Sequence, residues 1–398
     1  MTQDTALRRL LGAGFVDYLG GGLFLAFSAV YFTQVVGLSA TQVGVGTGIA
    51  GVAAMAGAVP IGRVADRIGA RRAIVVLHLA RAAGTASYVL VGEWWGFLAA
   101  VAVVTVADQA IASLTQAYVA ELAEGERRVR VLALYRTLAN LGISVGGPLG
   151  GLLAGAGVFT GVLLANAGAF VVVAAMLATV RGAGGRGAGG RGATVREAGG
   201  RAVPQERRFA ALRDRRLLAA AAVDGVLQLW LPVLNLGFPL WLARATGLPE
   251  SWLGVLYAIN TVLGMVLLVP AARLTATVAA ARRCQLAAAV LMIGACLAFW
   301  GAGRVAPLAL LVVAIVLLTA GELLSVPAAW TVSYALAPSD RRAEYISAYG
   351  MGRSVGRYVL GPVLITGLLD LAGGWMWAAL AILFAGAGAA AVLVRARP

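Results

Sequence analysis

Long uncharged runs, separated by short charged connections, constrain this chain more than any other feature of its sequence. They recur from the first tens of residues to the last. A helix of about 18 or more apolar residues crosses roughly 30 Å of hydrocarbon, whereas the strands of a membrane barrel alternate in hydropathy over short segments. The runs therefore predict an all-α polytopic membrane protein.

Charged residues, glycine and proline divide the runs into twelve transmembrane helices. The predicted helices cover residues 10–36, 40–61, 73–92, 95–121, 131–154, 157–180, 217–243, 250–272, 284–302, 306–337, 345–369 and 373–394. Because the number of helices is even, we expect both termini on the same side of the membrane.

The placement of arginine predicts which side that is. All 32 of the residues counted as Lys+Arg are arginine, and they concentrate in the connections after even-numbered helices. Such connections stay in the cytoplasm, so we expect a multi-pass protein of the inner membrane with cytoplasmic termini. An interfacial aromatic belt is expected at the other edge, formed by Trp94, Trp95, Trp252, Trp300, Trp375 and Trp377.

A glycine- and arginine-rich segment, residues 181–216, interrupts the helices. Its composition cannot bury a core, so it is predicted to be a flexible cytoplasmic linker between two six-helix bundles, residues 1–180 and 217–398. Apart from Phe209, no aromatic residue is interleaved with its arginines for base stacking. We therefore expect the lipid bilayer and a small molecule as partners, no nucleic acid, and a monomer.

An internal repeat supports two equivalent bundles. One block of residues recurs 210 positions later and a second block recurs 214 positions later. The first block pairs Gly37, Leu38, Gly44, Pro60, Arg63 and Arg72 with Gly247, Leu248, Gly254, Pro270, Arg273 and Arg282; the second pairs Arg127, Arg128, Tyr135, Gly142, Gly147 and Pro148 with Arg341, Arg342, Tyr349, Gly356, Gly361 and Pro362. Parallel repeats are related by an axis along the membrane normal.

The connection between helices two and three reads GRVADRIGARR. It resembles the major facilitator superfamily pattern G-x-x-x-D-R-x-G-x-R-R. Together with twelve helices in two parallel repeats, this resemblance covers essentially the whole chain and implies that family's fold and transport by alternating access. The matching residues are Gly62, Asp66, Arg67, Gly69, Arg71 and Arg72.

A gating role for this motif is implied by the resemblance. The acid is expected near the positive start of helix eleven when the cytoplasmic face is closed. We expect Gly62 and Gly69 to form a tight turn, and Arg71 and Arg72 to reach lipid headgroups. The repeat places Ala276 and Thr277 where Asp66 and Arg67 stand, so the gate is predicted in the first half alone.

Helix five contains GISVGGPLGG, which resembles the Gly-Pro motif of the drug and proton antiporters within that family. The motif residues are Gly142, Gly146, Gly147, Pro148 and Gly151. Close helix packing by small residues is the alternative interpretation. The arginine that this subgroup carries in helix four has no counterpart, because helix four offers Asp108, Gln109 and Gln116 instead.

Coupling to an ion gradient requires groups that change charge inside the membrane, where ionisable residues are costly and usually functional. The proton-coupling candidates are Asp17, Glu322, Asp108 and Asp224, and the cationic partners are Arg81, Arg136, Arg353 and Arg357. The alternative is static charge pairing, of Arg81 with Asp108 and of Arg357 with Glu322. His78, the only histidine, is expected to be a packing residue. No cofactor or metal is expected besides the gradient itself, which we take to be protons.

A substrate cavity is expected near the midplane between the halves. Its candidate lining residues are Phe24, Phe27, Tyr31, Asn140, Gln228, Asn235, Tyr257, Asn260, Trp330 and Tyr334. Aromatic and amide side chains favour a medium-sized amphipathic compound over a sugar or a phosphate.

The leading prediction is secondary active transport of a small organic molecule, with export of a hydrophobic, drug-like or toxic compound against proton entry. A metabolite importer or uniporter of the same fold, and a non-transporting membrane sensor, are the alternatives. An enzyme is not expected, because the sequence contains no phosphate-binding P-loop and no His/Cys/Asp cluster with metal-ligand spacing.

Overall fold

The computed structural model describes residues 3–25, 27–123, 125–179, 211–338 and 341–393. Over these ranges the secondary structure is helical and contains no strand, which confirms the all-α prediction. The predicted linker lies outside the described residues up to position 210. Its last residues form a short 3₁₀ turn, Ala211–Arg213, before the next helix begins.

Twelve helices cross the described part of the molecule, and several are built from consecutive segments. They are α1 (Gln3–Leu25, continued by Ser28–Val30 and Tyr31–Val35), α2 (Ala40–Ile68), α3 (Ala70–Ser87, continued by Tyr88–Leu90), α4 (Trp94–Leu122), α5 (Gly125–Gly155), α6 (Phe159–Ala178), α7 (Arg215–Leu227, Trp230–Pro232, Val233–Gly237 and Phe238–Ala245), α8 (Ser251–Leu274), α9 (Val278–Ala302), α10 (Pro307–Leu336), α11 (Arg342–Ser354, Val355–Leu360 and Gly361–Ala372) and α12 (Met376–Leu393).

Length and hydropathy identify most of these helices as candidate membrane spans. Among the described residues nine helices pass a test of length and hydropathy, or ten when the bent first helix counts as one span. The apparent span Glu344–Val392 contains both α11 and α12.

Local sequence explains where α2 begins and ends. Ser39 and Gln42 form a reciprocal capping box, in which the Ser39 hydroxyl accepts from the Gln42 amide at 3.1 Å and the Gln42 side chain accepts from the Ser39 amide at 2.8 Å. This arrangement satisfies two N–H groups that a helix leaves open. The helix ends at Gly69, whose φ of 91° favours glycine.

The first part of the predicted tight turn is therefore wrong. Gly62 lies inside α2, which continues to Ile68, and Gly69 alone separates α2 from α3. In the repeat, Thr277 accepts a hydrogen bond from the Ala280 amide at 3.2 Å and caps the start of α9. The equivalent turn in the second half is therefore stabilised by a threonine cap, whereas the turn in the first half depends on a glycine.

Glycines allow the helices within each half to touch backbone to backbone. In the first half, Gly22 of α1 faces Ile143 and Gly147 of α5, where an added Cβ would lie 3.1 Å from backbone atoms. In the second half, Gly225 of α7 faces Gly352 of α11, where an added Cβ would lie 2.8 Å from the Gly352 carbonyl oxygen. The two halves therefore use the same pairs of helices, α1 with α5 and α7 with α11.

The contacts between the halves follow the same twofold pattern. Gly44 of α2 packs on the carbonyl oxygen of Pro362 in α11, and Gly254 of α8 packs on the carbonyl oxygen of Pro148 in α5. Gly44 and Gly254 are repeat equivalents, as are Pro148 and Pro362. We call these two contacts the glycine–proline seams. Each half supplies one glycine and one proline, as a parallel repeat requires.

The two ends of the bundle differ in how the halves meet. We call the end with the α2–α3 and α8–α9 connections the arginine end, and the end where α4, α8 and α12 begin the tryptophan end. One buried apolar cluster, which includes Phe97 and Leu163 of the first half and Leu253 and Phe299 of the second, joins the halves towards the tryptophan end.

Towards the arginine end each half has a core of its own. One apolar cluster there consists only of first-half residues such as Leu7 and Leu177, and the other only of second-half residues such as Leu217. Val64 of α2 and Met351 of α11 are exposed. The halves are thus packed together at the tryptophan end and separated at the arginine end.

The predicted aromatic belt is partly confirmed. Trp95 and Trp375 are exposed at 70% and 64%, as residues at a membrane interface would be. Trp377, in contrast, is fully buried and stacks on Phe299 with ring centroids 4.4 Å apart. It belongs to the core of the second half because the α12 face that carries it packs on α9.

Candidate functional site

A cavity of 280 Å³ lies between the two halves at mid-depth in the bundle. Helices α1, α2, α3, α4 and α6 of the first half form most of its wall, and α7 and α11 of the second half close it. A pocket bounded by both repeats at mid-depth is where transporters of parallel-repeat construction bind substrate.

Aromatic side chains dominate the first-half wall of this cavity. Phe24 stacks on Tyr88 at 5.4 Å between ring centroids, and Phe32 packs on Phe97 at 4.6 Å. These four residues and Phe170 line the space. Such a wall binds flat or apolar groups through large contact areas at defined geometries.

One cluster of charged groups adjoins the cavity on the same wall. The Arg81 guanidinium donates to Asp17 at 2.7 Å through one nitrogen and pairs with Asp108 at 3.0 Å through the other. Its central carbon also lies 3.9 Å from the centre of the Phe170 ring. The Asp17 side chain is 7% exposed, whereas that of Asp108 is 54% exposed. One buried acid and one accessible acid therefore share one cation.

His78 adds a fourth titratable group to this cluster. It is buried, its Nδ1 lies 2.9 Å from the Ile74 carbonyl oxygen, and its Nε2 lies 3.7 Å from the Asp17 carboxylate. His78 is thus more than the packing residue expected from the sequence, because it lies one turn before Arg81 on α3. His78, Arg81, Thr85 and Tyr88 form one stripe along α3, and this helical spacing is the signal that would have identified them together.

A second polar cluster occupies the equivalent region of the other half. Asp224 pairs with Arg353 at 3.2 Å and accepts from the Gln228 amide at 2.8 Å. Gln228 in turn accepts from Arg357 and from the Trp230 indole. The network is nearly enclosed, since Asp224 and Gln228 are fully buried, and only Arg357 reaches the cavity.

Of the two static charge pairs named as the alternative to proton coupling, one is formed. Arg81 pairs with Asp108, and also with Asp17. Arg357, however, donates to Gln228, and no ion pair joins it to Glu322 within the described residues. Glu322 lies instead beside Asn260, which donates to Thr319 at 2.8 Å. The side-chain amide of Gln228, one turn after Asp224 on α7, takes the place of Glu322 as the partner of Arg357.

Two of the predicted cavity residues, Phe24 and Asn235, line the cavity. Most of the others serve the fold. Phe27 is fully buried in the core, and the hydroxyl groups of Tyr31 and Tyr257 donate to the carbonyl oxygens of Tyr88 and Leu234. Aromatic type and depth alone do not distinguish the helix face towards the cavity from the face towards neighbouring helices.

The remaining predicted positions fall outside this cavity as well. Asn140 is exposed on α5, and Trp330 and Tyr334 are exposed on α10. Arg136, predicted as an intramembrane charge partner, is exposed on α5. Trp330 carries the guanidinium of Arg353 4.9 Å from its ring centre. The cavity is also lined by residues that were not predicted from the sequence: Phe32, Tyr88, Phe97, Asn166 and Phe170.

The glycine–proline residues of α5 pack helices together. A Cβ added at Gly142 would lie 2.7 Å from the Phe15 carbonyl oxygen of α1, Gly146 packs on the Leu19 carbonyl oxygen, and Gly151 packs on Gly254 of α8. Gly147 and Pro148 complete the same contacts with Gly22 and Gly254. The alternative interpretation, close packing by small residues, therefore describes this geometry.

The motif between α2 and α3 has two separate environments. Asp66 and Arg67 are exposed, and Asp66 makes no hydrogen bond or ion pair with any described residue. Arg71 donates to the carbonyl oxygens of Leu177 and Ala178 at 3.1 and 3.0 Å. These are open carbonyls at the C-terminus of α6, so Arg71 caps that helix, and its contact with lipid headgroups stays a prediction. Arg72 is exposed.

Comparison with known sequences settles the family. A sequence model of the Major Facilitator Superfamily matches residues 10–359. The chain belongs to the major facilitator superfamily. Among curated members, it is 26% identical over 371 residues to the multidrug resistance protein MdtH of Yersinia pestis (strain Pestoides F), a match that covers 89% of this chain and 83% of that protein.

Solved structures of superfamily transporters share the whole fold. The nucleoside transporter NupG superposes with a TM-score of 0.73 at 14% identity and covers 98% of both chains. A POT family transporter in complex with 5-aminolevulinic acid gives 0.73 at 13% identity, covering 98% of this chain and 95% of that one. A bacterial homologue of the human lysosomal transporter Spinster, inward-facing and occupied, gives 0.69 at 16% identity, covering 98% and 96%.

Proposed function

We propose that this superfamily member is a proton-coupled exporter of amphipathic organic compounds, which bind in the aromatic cavity. The observation that carries the proposal is one guanidinium, Arg81, shared by the enclosed acid Asp17 and the accessible acid Asp108. The drug-resistance name of the MdtH relative supports the direction and the class of substrate.

Two acids that share one cation provide a simple means of exchange. Only one carboxylate can be neutralised by a proton while Arg81 stays paired with the other, because an unpaired guanidinium in a low-dielectric wall is unfavourable. Asp108 is open to the cavity and is the acid that water, or a cationic group of the substrate, reaches first. Asp17, with His78 beside it, is the acid that Arg81 holds when Asp108 is neutralised.

The proposed cycle follows from this competition. A substrate that approaches Asp108 weakens the pair between Asp108 and Arg81, and a proton bound at Asp108 disfavours substrate. Substrate and proton therefore occupy the site in turn, which couples the outward movement of one to the inward movement of the other. Glu322 and Asp224 lie in the opposite half and are assigned no proton in this cycle.

In the orientation proposed for export, the protein lies in a bacterial inner membrane with its arginine end on the cytoplasmic side. The distribution of arginine supports it. The halves are separated at that end, so the cavity described here would be reached from the cytoplasm, as loading of an exporter requires. A monomer suffices, because both walls of the cavity come from one chain.

Transport by purified protein in liposomes tests the proposal. A panel of dyes and antibiotics is added under an imposed pH gradient, and internal pH and compound uptake are both recorded. We expect proton movement upon addition of at least one compound. Asp17→Asn and Asp108→Asn should each abolish proton movement, whereas exchange of labelled for unlabelled compound, which requires no net proton, should survive in Asp17→Asn.

Glu93→Gln is the matched control, because Glu93 is an exposed acid at the tryptophan end and makes no capping hydrogen bond at the start of α4. It should transport as the wild type does. Proton movement of normal size in Asp17→Asn would refute the role of the shared guanidinium. Compound flux without proton movement in the wild type would instead indicate a uniporter.

A further inference from the structure

Asp370, near the end of α11, crosses from one half to the other at the tryptophan end. One of its carboxylate oxygens accepts from the backbone amide of Thr41 at 2.7 Å and from the Thr41 hydroxyl at 2.8 Å. The other accepts from Arg244, at the end of α7, at 2.7 Å. Thr41 belongs to the first half, and Asp370 and Arg244 belong to the second.

The Thr41 amide is one of the N–H groups that the first turn of α2 leaves without a helical partner. A carboxylate there satisfies the donor and also meets the positive end of the helix dipole. Because the carboxylate comes from the other half, this cap exists only while the tryptophan end is closed. Arg244, from the carboxylate's own half, fixes the direction in which it points.

The same two helices present the reciprocal arrangement at the arginine end. Helices α2 and α11 pack against each other, and α2 runs from the tryptophan end to the arginine end while α11 runs the other way. Each therefore carries an acid near its C-terminal end, Asp66 in α2 at the arginine end and Asp370 in α11 at the tryptophan end. Asp370 is engaged, and Asp66 is exposed and has no polar partner within the described residues.

We propose that Asp370 is a gating residue and that Asp370 and Asp66 form a two-position latch. When the tryptophan end is closed, Asp370 caps α2 and Asp66 is free. When the arginine end is closed, Asp66 meets the start of α11 and Asp370 is withdrawn from Thr41. The repeat provides no second copy, because the position equivalent to Asp370 is Ala156 and the one equivalent to Asp66 is Ala276.

The packing between the two acids explains why both cannot be engaged together. Gly44, Gly48 and Gly51 of α2 lie against the backbone carbonyl oxygens of Pro362, Val359 and Tyr358 of α11. The π-helical segment Val355–Leu360 of α11 lies at this contact, and in the proposed latch the two helices pivot about it. Closing one end then opens the other.

Thiol accessibility measures the position of the latch without any substrate. In a background in which Cys284 and Cys296 are replaced by serine and alanine, two single-cysteine reporters are made. Thr366→Cys lies between the halves and is fully buried in the present state, whereas Ser113→Cys lines the open cleft between α2, α4 and α11. The rates of N-ethylmaleimide labelling are measured in lipid nanodiscs, where both ends are accessible.

Asp370→Ala should raise the labelling rate at Thr366→Cys and lower it at Ser113→Cys, which changes the ratio of the two rates by about fivefold, as loss of a helix cap would. Asp66→Ala should change the ratio in the opposite direction. The double variant should return close to the wild-type ratio, because both states lose one cap.

The matched control is Asp214→Ala. Asp214 caps the start of α7 by accepting from the amides of Arg216 and Leu217, so acceptor and donors all lie in the second half. The variant should lower thermal stability and leave the ratio unchanged. If Asp370→Ala behaves like this control, Asp370 is a static cap and the latch is refuted. The measurement contains no proton gradient and no compound, so its outcome is independent of the proposed export.

Discussion

The glycine–proline seams allow a quantitative prediction about the closed tryptophan end. In Gly254→Ala, the added methyl carbon would lie 2.6 Å from the Pro148 carbonyl oxygen and 3.1 Å from its Cα. Both atoms belong to backbone, so the helices must separate to relieve the overlap. Overpacking of this kind costs about 1–3 kcal/mol.

That cost is opposed by a local gain. Alanine is favoured over glycine in a helix by about 1 kcal/mol. The same helix offers a control, because an added methyl at Gly264 of α8 meets no atom within 4 Å. Gly264→Ala should therefore show the gain alone, and the difference between the two variants isolates the seam at about 1–3 kcal/mol.

The assay is thermal unfolding in detergent together with labelling of the Thr366→Cys reporter. Gly254→Ala should melt below Gly264→Ala and should label about five- to a hundredfold faster if the whole difference favours opening of the tryptophan end. Gly44→Ala, the repeat equivalent, should act in the same direction. Equal melting and equal labelling of Gly254→Ala and Gly264→Ala would refute the seam as a contact that holds the halves together.

Two further substitutions test contacts at the ends of the bundle. Arg71→Gln removes two hydrogen bonds to the C-terminus of α6 and should lower stability by about 1 kcal/mol, measured by thermal unfolding, whereas the exposed neighbour variant Arg72→Gln should not. Burial raises the pKa of Glu250, partly offset by its hydrogen bond with Gln34, so its negative charge destabilises the fold as pH rises past about 4.5. Glu250→Gln should then raise the melting temperature at pH 7 and leave it unchanged at pH 4. The corresponding gain in the free energy of unfolding at pH 7 should be below about 1 kcal/mol, and equal shifts at both pH values would contradict this assignment.

Much of the fold could be predicted because its determinants are regular in the sequence. Apolar run length gave the helices, and the repeat of Gly44 and Pro148 anticipated the two seams, since a parallel repeat must place equivalent residues in equivalent contacts. Helix ends were harder: α2 extends to Ile68 beyond the charged residues that suggested its end. Arginines are compatible with a helix once it leaves the hydrocarbon.

The charged residues of the candidate site could be predicted from the sequence, whereas most of the aromatic residues that line the cavity could not. Buried ionisable groups are so rare in membrane helices that each is conspicuous, and Asp17, Arg81 and Asp108 were found for this reason. Which aromatic residues face the cavity depends on how the helices rotate about their axes, and residue type carries little of that information. Phe27 and Phe32 are one and a half turns apart on α1, and only Phe32 lines the cavity.

The pair Arg357 and Gln228 shows a further limit. An arginine and an acid at matching depth suggested a salt bridge with Glu322, but an amide closer to the guanidinium took its place. Depth along the membrane can be estimated from sequence, whereas lateral position depends on which helices are neighbours. The pattern of charges in the sequence does not predict that α7 and α11 are neighbours.

The measurement that tests the central claim most directly is proton movement by reconstituted protein carrying Asp108→Asn, beside the wild type and Glu93→Gln. With an imposed pH gradient and the first active compound of the panel, the wild type and Glu93→Gln should move protons as the compound is transported. Asp108→Asn should transport no protons, because the accessible acid of the Asp17–Arg81–Asp108 cluster is lost. Compound-driven proton movement of wild-type size in Asp108→Asn would contradict the claim that this cluster couples transport to the gradient.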